Sequence, residues 1–338
     1  MSGLVILEIS PGATIQDQGR TGWLRYGVTS SGAMDGHALA EGQALLGNTD
    51  DDAALEFAMR GGKFRAIKGL WIATSGAEMA LSVNGGVVAW RRSLRLEPGD
   101  LIEVGAARRG VYGYLHVAGG FQTEMVLGSR ATHWRAEIGH RPEAGQILPT
   151  APQITGHRPM HLPEPGYFGA REIRFLRGPQ TDLFDDQVLA EFLGAELRVG
   201  AARDRMGMRL TSASGPVQTK VGRTIASDSI NPGDIQITGD GTPVVLLADR
   251  GSAGGYPRIG TIASADLPAL VQIAAGEAFR LRQVTREAAV DALSDYRKDL
   301  NGLRDKVEPV VRDPHDIADL LAYNLIGGVL RGDEDERD

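Results

Sequence analysis

No cysteine occurs among the 338 residues. Its absence excludes disulfides, thiolate metal sites and cysteine nucleophiles together, and it fits a cytoplasmic protein. No apolar run approaches the length of a transmembrane helix. The N-terminal MSGLVILEIS lacks the basic region and long apolar core of a signal peptide. No cluster of Lys and Arg reaches the density of a nucleic-acid footprint, and the formal net charge is −7. Also missing are a P-loop, a GxGxxG opening a helix, an HExxH metal pair and a GxSxG elbow. The expectation is therefore no metal site, no nucleic acid and no membrane. Any catalysis must come from carboxylates, arginines, backbone amides and a tyrosine.

What is present is glycine, 45 residues of it, and short apolar runs. LVILEI (4–9), ALEFAM (54–59), LWIAT (70–74), MALSV (79–83), LIEV (101–104) and YGYLHV (112–117) read as strands in the first half. IRFL (173–176), DIQI (234–237), VVLLA (244–248) and AFRLRQV (278–284) do so in the second. Many short strands with turn signals predict an all-β sandwich or barrel. Helices are fewer. DGHALAEGQALLGN (35–48) has Asp35 placed as N-cap and Gly47 as the residue past the C-terminus. TDLFDDQVLAEFLG (181–194) predicts a second helix capped by Thr181 or Asp182. From Thr285 onward Val290, Leu293 and Tyr296 share a helical face, ahead of a frayed GDEDERD end.

Six of the sixteen prolines fall in 141–165, which reads as an extended linker. It divides the chain into a β half at 1–140, a second β half at 166–284 and a helical extension at 285–338. The halves echo one another: PGDLIEVGAARRGVYGYLHVAGGF (98–121) lines up with PGDIQITGDGTPVVLLADRGSAGGY (232–256). Two readings stand, shared turn chemistry in two hairpins or a duplicated β-domain with a ligand surface where the copies meet.

TIQDQGRTGWLRYGVTSSGAMD (14–35) carries four glycines, two arginines and two aspartates. Gln16, Asp17, Arg20 and Arg25 suit a carboxylate or phosphate ligand. The plain alternative is a structural Asp–Arg pair holding the loop. Ser31 and its neighbours precede a capped helix start, where exposed N–H groups favour an anion. ADRGSAGGYPRIGTI (248–262) places Asp249 and Arg250 at the end of a buried strand, and RDRMGMRL (203–210) repeats the Arg-x-Gly pattern of RYG (25–27). Gln236 is polar in an apolar strand, either a hydrogen-bond reader in a pocket or an outward-facing residue.

These segments in order, with LLGN (45–48), ALEF (54–57) and GDIQI, resemble the family of the 5-oxoprolinase C subunit over roughly residues 4–285. That family includes the carboxyltransferase-type half of urea carboxylase (often labelled allophanate hydrolase subunit 2) and the KipA antagonist of a sporulation-kinase inhibitor. The resemblance implies a mainly β fold of two cyclophilin-like barrel halves, with a few peripheral helices and the helical C-terminal extension. It implies a B-type (KipI-like) partner and an A-type partner, with which 5-oxoproline is opened to glutamate at the expense of ATP. For the urea carboxylase relatives it implies carboxyl transfer from biotin on a separate carrier; for KipA it implies regulation without turnover. The sequence departs from the pattern at Ala253, where Thr commonly precedes GGYP.

The resulting expectation is one component of an ATP-dependent amidohydrolase, active in complex, on a small lactam or amide. Asp17, Asp249, Arg250 and Tyr256 are its catalytic candidates. Gln16, Arg20, Arg25, Ser31, Asp35 and Arg205 are substrate-binding candidates from the loop segments. Gln236 would read the amide, and Gly254 and Gly255 would offer backbone N–H groups to an oxyanion.

Overall fold

The computed structural model describes residues 2–152, 156–222 and 224–311. The first half runs β1 (Gly3–Ile9), β2 (Thr14–Gln16), α1 (Gly36–Leu46), β3 (Ala54–Ala58), β4 (Gly62–Ala66) and β5 (Leu70–Val83). It continues with β6 (Gly86–Val87), β7 (Ser93–Leu96), β8 (Leu101–Val117) and β9 (Ile147–Pro149). β10 (Met160–His161) leads to β11 (Glu172–Leu176), α2 (Asp186–Gly194), β12 (Leu197–Arg203), β13 (Gly207–Ser212), β14 (Asp228–Ser229) and β15 (Asp234–Ile237). Then come β16 (Pro243–Leu246), β17 (Ala253–Gly254), β18 (Arg258–Ile262), α3 (Leu267–Val271) and β19 (Ala278–Gln283). α4 (Arg286–Asn301) and β20 (Glu308–Pro309) follow.

The architecture is mainly β, as the turn-punctuated apolar runs imply. The second half closes into a barrel in the order β11-β18-β15-β16-β13-β12-β19. The first half is a half-barrel, a nine-stranded sheet ordered β2-β3-β8-β4-β1-β9, with β5 branching from β8 and β6 and β7 pairing with β5. Within the proline-rich stretch, β9 pairs with β1 and β10 pairs with β20. Among the described residues no helix is long and apolar enough to cross a membrane. The GDEDERD end lies outside the described residues.

Two pairs of expected strands are single strands. Residues 70–74 and 79–83 belong to β5, and 101–104 and 112–117 belong to β8. Gly76 (φ 71°) and Gly110 (φ 83°) sit inside them, and the β5–β8 register shifts between Gly76 and Leu81. Bulges let a strand bend without ending, so a glycine that reads as a turn is a kink in a continuous ladder. The 181–194 helix is also redivided: a single 3-10 turn spans Thr181–Leu183, and α2 begins after Asp185.

The PGD echo holds in its turn and in the strand that follows, β8 from Leu101 and β15 from Asp234. Gly99 and Gly233 adopt the same left-handed φ, 90° and 91°. Gly119 and Gly120 then form a left-handed turn (φ 72° and 69°), whereas Gly254 pairs with Asp228 across the β14–β17 ladder.

One hydrophobic core joins the halves. Met34, Leu39, Val111 and Tyr114 of the first half pack with Phe175, Met208 and Ile235 of the barrel. A second core, including Leu4, Phe57, Phe64 and Leu115, lies wholly within the first half. Gln272, buried just after α3, fixes the seam. Its Oε1 accepts from the N–H groups of Val111 (2.8 Å) and Tyr112 (3.0 Å), and its Nε2 donates to Tyr112 O (2.9 Å) and Asp35 Oδ2 (2.7 Å).

α4 leaves the barrel and returns to α1. His37 Nε2 lies 2.8 Å from Asp299 Oδ2, His37 Nδ1 lies 3.3 Å from Glu41, and Arg304 donates to Asn48 O (2.7 Å). Burial opposes charge on His37, but Glu41, Asp299 and Asp35 outweigh it and raise its pKa. A raised folded-state pKa contributes stability that is fully present below the unfolded value of about 6.5 and is lost as pH rises through the folded value. Urea midpoints of wild type and His37→Gln should therefore differ most below about pH 6.5 and converge above the folded pKa. A difference independent of pH would contradict this.

Candidate active site

The loop between β2 and α1 folds on itself. Gly19 (φ 82°) lies against Ser30 O, where a Cβ would stand 2.6 Å away, and Gly32 (φ 89°) lies against Gln18 O, where a Cβ would stand 3.0 Å away. Arg20 N donates to Ser30 O (2.8 Å), zipping the two arms. Asp17 anchors the loop to residues 129–132: Oδ1 accepts from Gly19 N (2.8 Å) and Ser129 Oγ (2.6 Å), Oδ2 from Arg130 N (2.6 Å). Gln16 Nε2 donates to Thr132 O (2.9 Å), and Arg20 Nη2 donates to Ala131 O. The packed turn leaves Ser31 at a left-handed φ of 54°. Such strain in a non-glycine residue persists where the surroundings over-determine it.

Ser31 meets the second half at Arg205. This guanidinium is buried and makes bonds in every direction. Nε donates to Asp249 Oδ2 (2.9 Å), and Nη2 donates to Asp249 Oδ1 (3.0 Å), Ser31 Oγ (3.0 Å) and Gly32 O (2.7 Å). Nη1 donates to Glu56 Oε1 (2.5 Å). Ser31 Oγ is also 2.5 Å from Asp249 Oδ1. Glu56 Oε2 accepts from Met34 N (2.8 Å) and from the Tyr114 hydroxyl (2.7 Å). Burial opposes the charge of Arg205, but Glu56 and Asp249 raise its pKa further, so it stays a fixed cation. One cation thus faces two carboxylates, one from each half. Burial pushes the Tyr114 hydroxyl up, and the Glu56 charge beside it adds to the effect.

Arg205 and Asp249 form the floor of a cleft of about 640 Å³ between the halves. Its walls include Met59, Tyr112, Trp134, Arg203 and Met206. Met59 is held at φ 64°, and the Arg203 guanidinium lies 5.6 Å from the Tyr112 ring centre. Apolar walls over a few convergent polar groups are the usual make-up of a small-molecule site.

His133 borders this network. Thr29 Oγ1 donates to Arg250 O (3.1 Å), so its single hydrogen is used and His133 Nε2, 2.8 Å away, must donate to it. His133 Nδ1 is then the acceptor for Ala136 N (3.4 Å). Burial lowers its pKa, in keeping with a neutral ring. His133 therefore ties the Ser129–Gly139 region to the backbone of Arg250 and is not poised as a base.

Of the residues singled out in the sequence, Arg205 and Asp249 line the cleft floor, and Ser31 bonds both of them. Asp17, Gln16 and Arg20 are buried in the loop behind it. Asp35 caps α1 through Ala38 N (2.9 Å) and bonds Tyr167 and Gln272 at the seam. Burial raises its pKa. Arg25 is exposed, stacked 4.8 Å from the Tyr26 ring centre, and Tyr256 is also exposed. Gly254 packs against the Gln236 carboxamide, and Arg250 is buried, its Nε donating to Ile230 O (3.0 Å). Glu56, Thr29, His133 and Trp134 were not singled out. A carboxylate in the middle of ALEFA, a strand otherwise apolar, was the available signal for Glu56.

The model of the carboxyltransferase domain, subdomains A and B, matches residues 26–283. This chain belongs to that family. The carboxyltransferase domain contains Ser31, Glu56, Arg205 and Asp249, while α4 and β20 lie past the matched residues. The 5-oxoprolinase C subunit of Haemophilus influenzae is 32% identical over 295 residues, covering 84% of this chain and 92% of that protein. The 5-oxoprolinase C subunit of Escherichia coli is 30% identical over 301 residues, covering 87% and 96%. The urea amidolyase of Lachancea kluyveri is 26% identical over 90% of this chain, which spans 19% of that protein. In fold, the Kluyveromyces lactis urea carboxylase aligns with 92% of this chain at a TM-score of 0.80 and 24% identity, over 31% of its own chain.

Proposed function

We propose that this chain is the C subunit of an ATP-dependent 5-oxoprolinase, acting with an A-type partner and a B-type (KipI-like) partner. The observation that carries this reading is the similarity along 92% of the Haemophilus protein, taken with a cleft between the halves floored by Arg205 and Asp249. Lactam hydrolysis breaks the ring C–N bond, forms a C–O bond from water and returns a proton to nitrogen. Asp249 is the carboxylate on the cleft floor able to take up the proton of the attacking water. Arg205 and Ser31 hold that carboxylate in one orientation and act as positioning groups. Met59, Tyr112 and Trp134 would cover the ring and exclude bulk water.

The cleft does not form a triphosphate cradle. Arg205 is already neutralised by Glu56 and Asp249, which leaves Arg203 and Arg135 at the rim. ATP is therefore assigned to the assembly, and no step through it is derived for this chain.

The test is ATP hydrolysis by the co-purified complex with and without 5-oxoproline. Stimulation with glutamate released supports the reading, and Asp249→Asn should reduce it by roughly 100-fold or more, the range of a lost general base. An intact complex that shows no stimulation removes the reading. The similarity to urea amidolyase favours a second one, carboxyl transfer from biotin on a separate carrier to a urea-like amide. It requires a biotinylated carrier and bicarbonate in the same assay. A KipA-like antagonist would bind its partner without turnover in either assay.

A further inference from the structure

The cleft carries charge at two levels. At the floor Arg205 is shared between Glu56 and Asp249, so a further anion gains nothing there. At the rim stands Arg135, which lines the same cavity. Its Nη1 donates to the Met206 thioether (3.4 Å). Thioether sulfur is a weak acceptor and carries no charge. Among the described residues no carboxylate comes within ion-pair distance of Arg135. Asp204 also lines the cleft, but it is engaged in its own turn: Oδ1 accepts from Met206 N (2.7 Å) and Gly207 N (3.1 Å). Arg203, the other rim cation, is anchored to backbone, with Nη1 donating to Ile273 O (2.5 Å) and Nη2 to Val271 O (2.7 Å). Of the two, Arg135 has the guanidinium that no oxygen of the described residues holds.

The backbone under Arg135 is well fixed. His133 N donates to Ile138 O (2.8 Å), Ile138 N to His133 O (3.3 Å) and Glu137 N to Trp134 O (3.3 Å), and Glu137 closes the loop at φ 53°. The Arg141 guanidinium stacks 4.2 Å from the Trp134 ring centre, and its Nη2 donates to Trp134 O (2.9 Å). At the base of the loop Thr132 O lies 3.0 Å from Ser31 Oγ, the hydroxyl that also lies 2.5 Å from Asp249 Oδ1. The floor carboxylate and the loop that carries the rim cation are thus tied through one side chain. The Arg135 side chain reaches from this loop to Met206 on the barrel.

We propose that Arg135 determines specificity in the cleft by binding a carboxylate carried by the ligand. The site then takes a small lactam or amide that bears a carboxylate and discriminates against a neutral one such as urea. The inference rests on the reading above for the lactam, and on the charges of the cleft for the carboxylate. Like charge at Asp249 turns the ligand's carboxylate away from the floor. The planar guanidinium of Arg135 offers it parallel N–H groups, in exchange for an uncharged sulfur. The amide carbonyl is thereby directed at Asp249. Because Arg135 is exposed, the gain weakens as salt is raised.

The test is isothermal titration of 5-oxoproline, 2-pyrrolidinone (the same lactam without its carboxylate) and urea. The titrand is the 338-residue chain, alone and with its co-purified partners, without ATP. Wild type should bind 5-oxoproline at least about tenfold more tightly than 2-pyrrolidinone or urea, the equivalent of one hydrogen bond to a charged group. Arg135→Met should close that gap by weakening 5-oxoproline alone. Arg135→Lys should restore part of it, since the charge returns without the fork. A merely structural role would weaken both lactams together. Equal affinity for the two lactams in wild type, urea bound as tightly as 5-oxoproline, a gap that survives Arg135→Met, equal weakening of both lactams, or no binding in either preparation overturns the inference. A gap that depends on Arg135, in an assembly whose ATP hydrolysis ignores 5-oxoproline, keeps the inference and removes the 5-oxoprolinase reading. Turnover without the gap does the reverse.

Discussion

Replacing Arg205 by Met should destabilise the protein by about 3–5 kcal/mol, the usual range for removing one partner of a buried ion pair. The hydrophobic gain from a buried Met side chain, about 1.5–3 kcal/mol, does not offset two carboxylates left facing one another. Glu56 and Asp249 are each almost fully buried, and both lose their cation in one step. Ser31 Oγ and Gly32 O lose a donor as well. The check is equilibrium urea unfolding followed by two probes. A triple variant with Glu56→Gln and Asp249→Asn added should recover part of the loss, because it removes the unpaired charges. A loss below about 1 kcal/mol for Arg205→Met, typical of a surface pair, would show that the network is solvated.

Gly42→Ala should also be strongly destabilising, against the ordinary trend. In a helix interior the change from Gly to Ala gains about 1 kcal/mol. Here the new Cβ would stand 2.0 Å from the His116 ring, which lies behind α1. That ring cannot swing aside easily. Its Nε2 is 2.9 Å from Ser75 Oγ, which in turn donates to Ala38 O (2.6 Å). His116 is wholly buried and its pKa is pushed down by burial to about 3, so it remains a neutral packing residue. Overpacking costs of about 1–3 kcal/mol or more outweigh the propensity gain. Adding His116→Ala to Gly42→Ala should show a favourable coupling of about 1–3 kcal/mol in a double-mutant cycle. Additive effects would mean that the helix simply shifts outward.

The cleft is partly legible in the sequence, and the reason differs by residue. Asp35 and Gly47 announce α1 because capping is local chemistry: Asp35 accepts from Ala38 N, and Gly47 takes a left-handed φ of 66°. Arg205 and Asp249 stand out as charges beside glycine-rich turns, but nothing local ties them to Ser31, 174 and 218 residues away. Arg25 carries the same local signature as Arg205 and is exposed. Glu56 has no role legible in the sequence because that role depends on an arginine 149 residues further on. The glycines of the 14–35 loop suggest room for a ligand. Gly19 and Gly32 instead admit the loop's own backbone.

By itself the sequence determined a mainly β chain, the capped helix α1, the PGD turns and the family to which it belongs. Each of these rests on residues close together in the chain, or on an ordered string of motifs. Only the tertiary structure decided which half closes into a barrel, that β5 and β8 run unbroken through their glycines, and which charges meet. Those outcomes depend on long-range pairing and on burial. An arginine is a surface cation or a seam bolt according to what the fold brings beside it, as Arg25 and Arg205 show here.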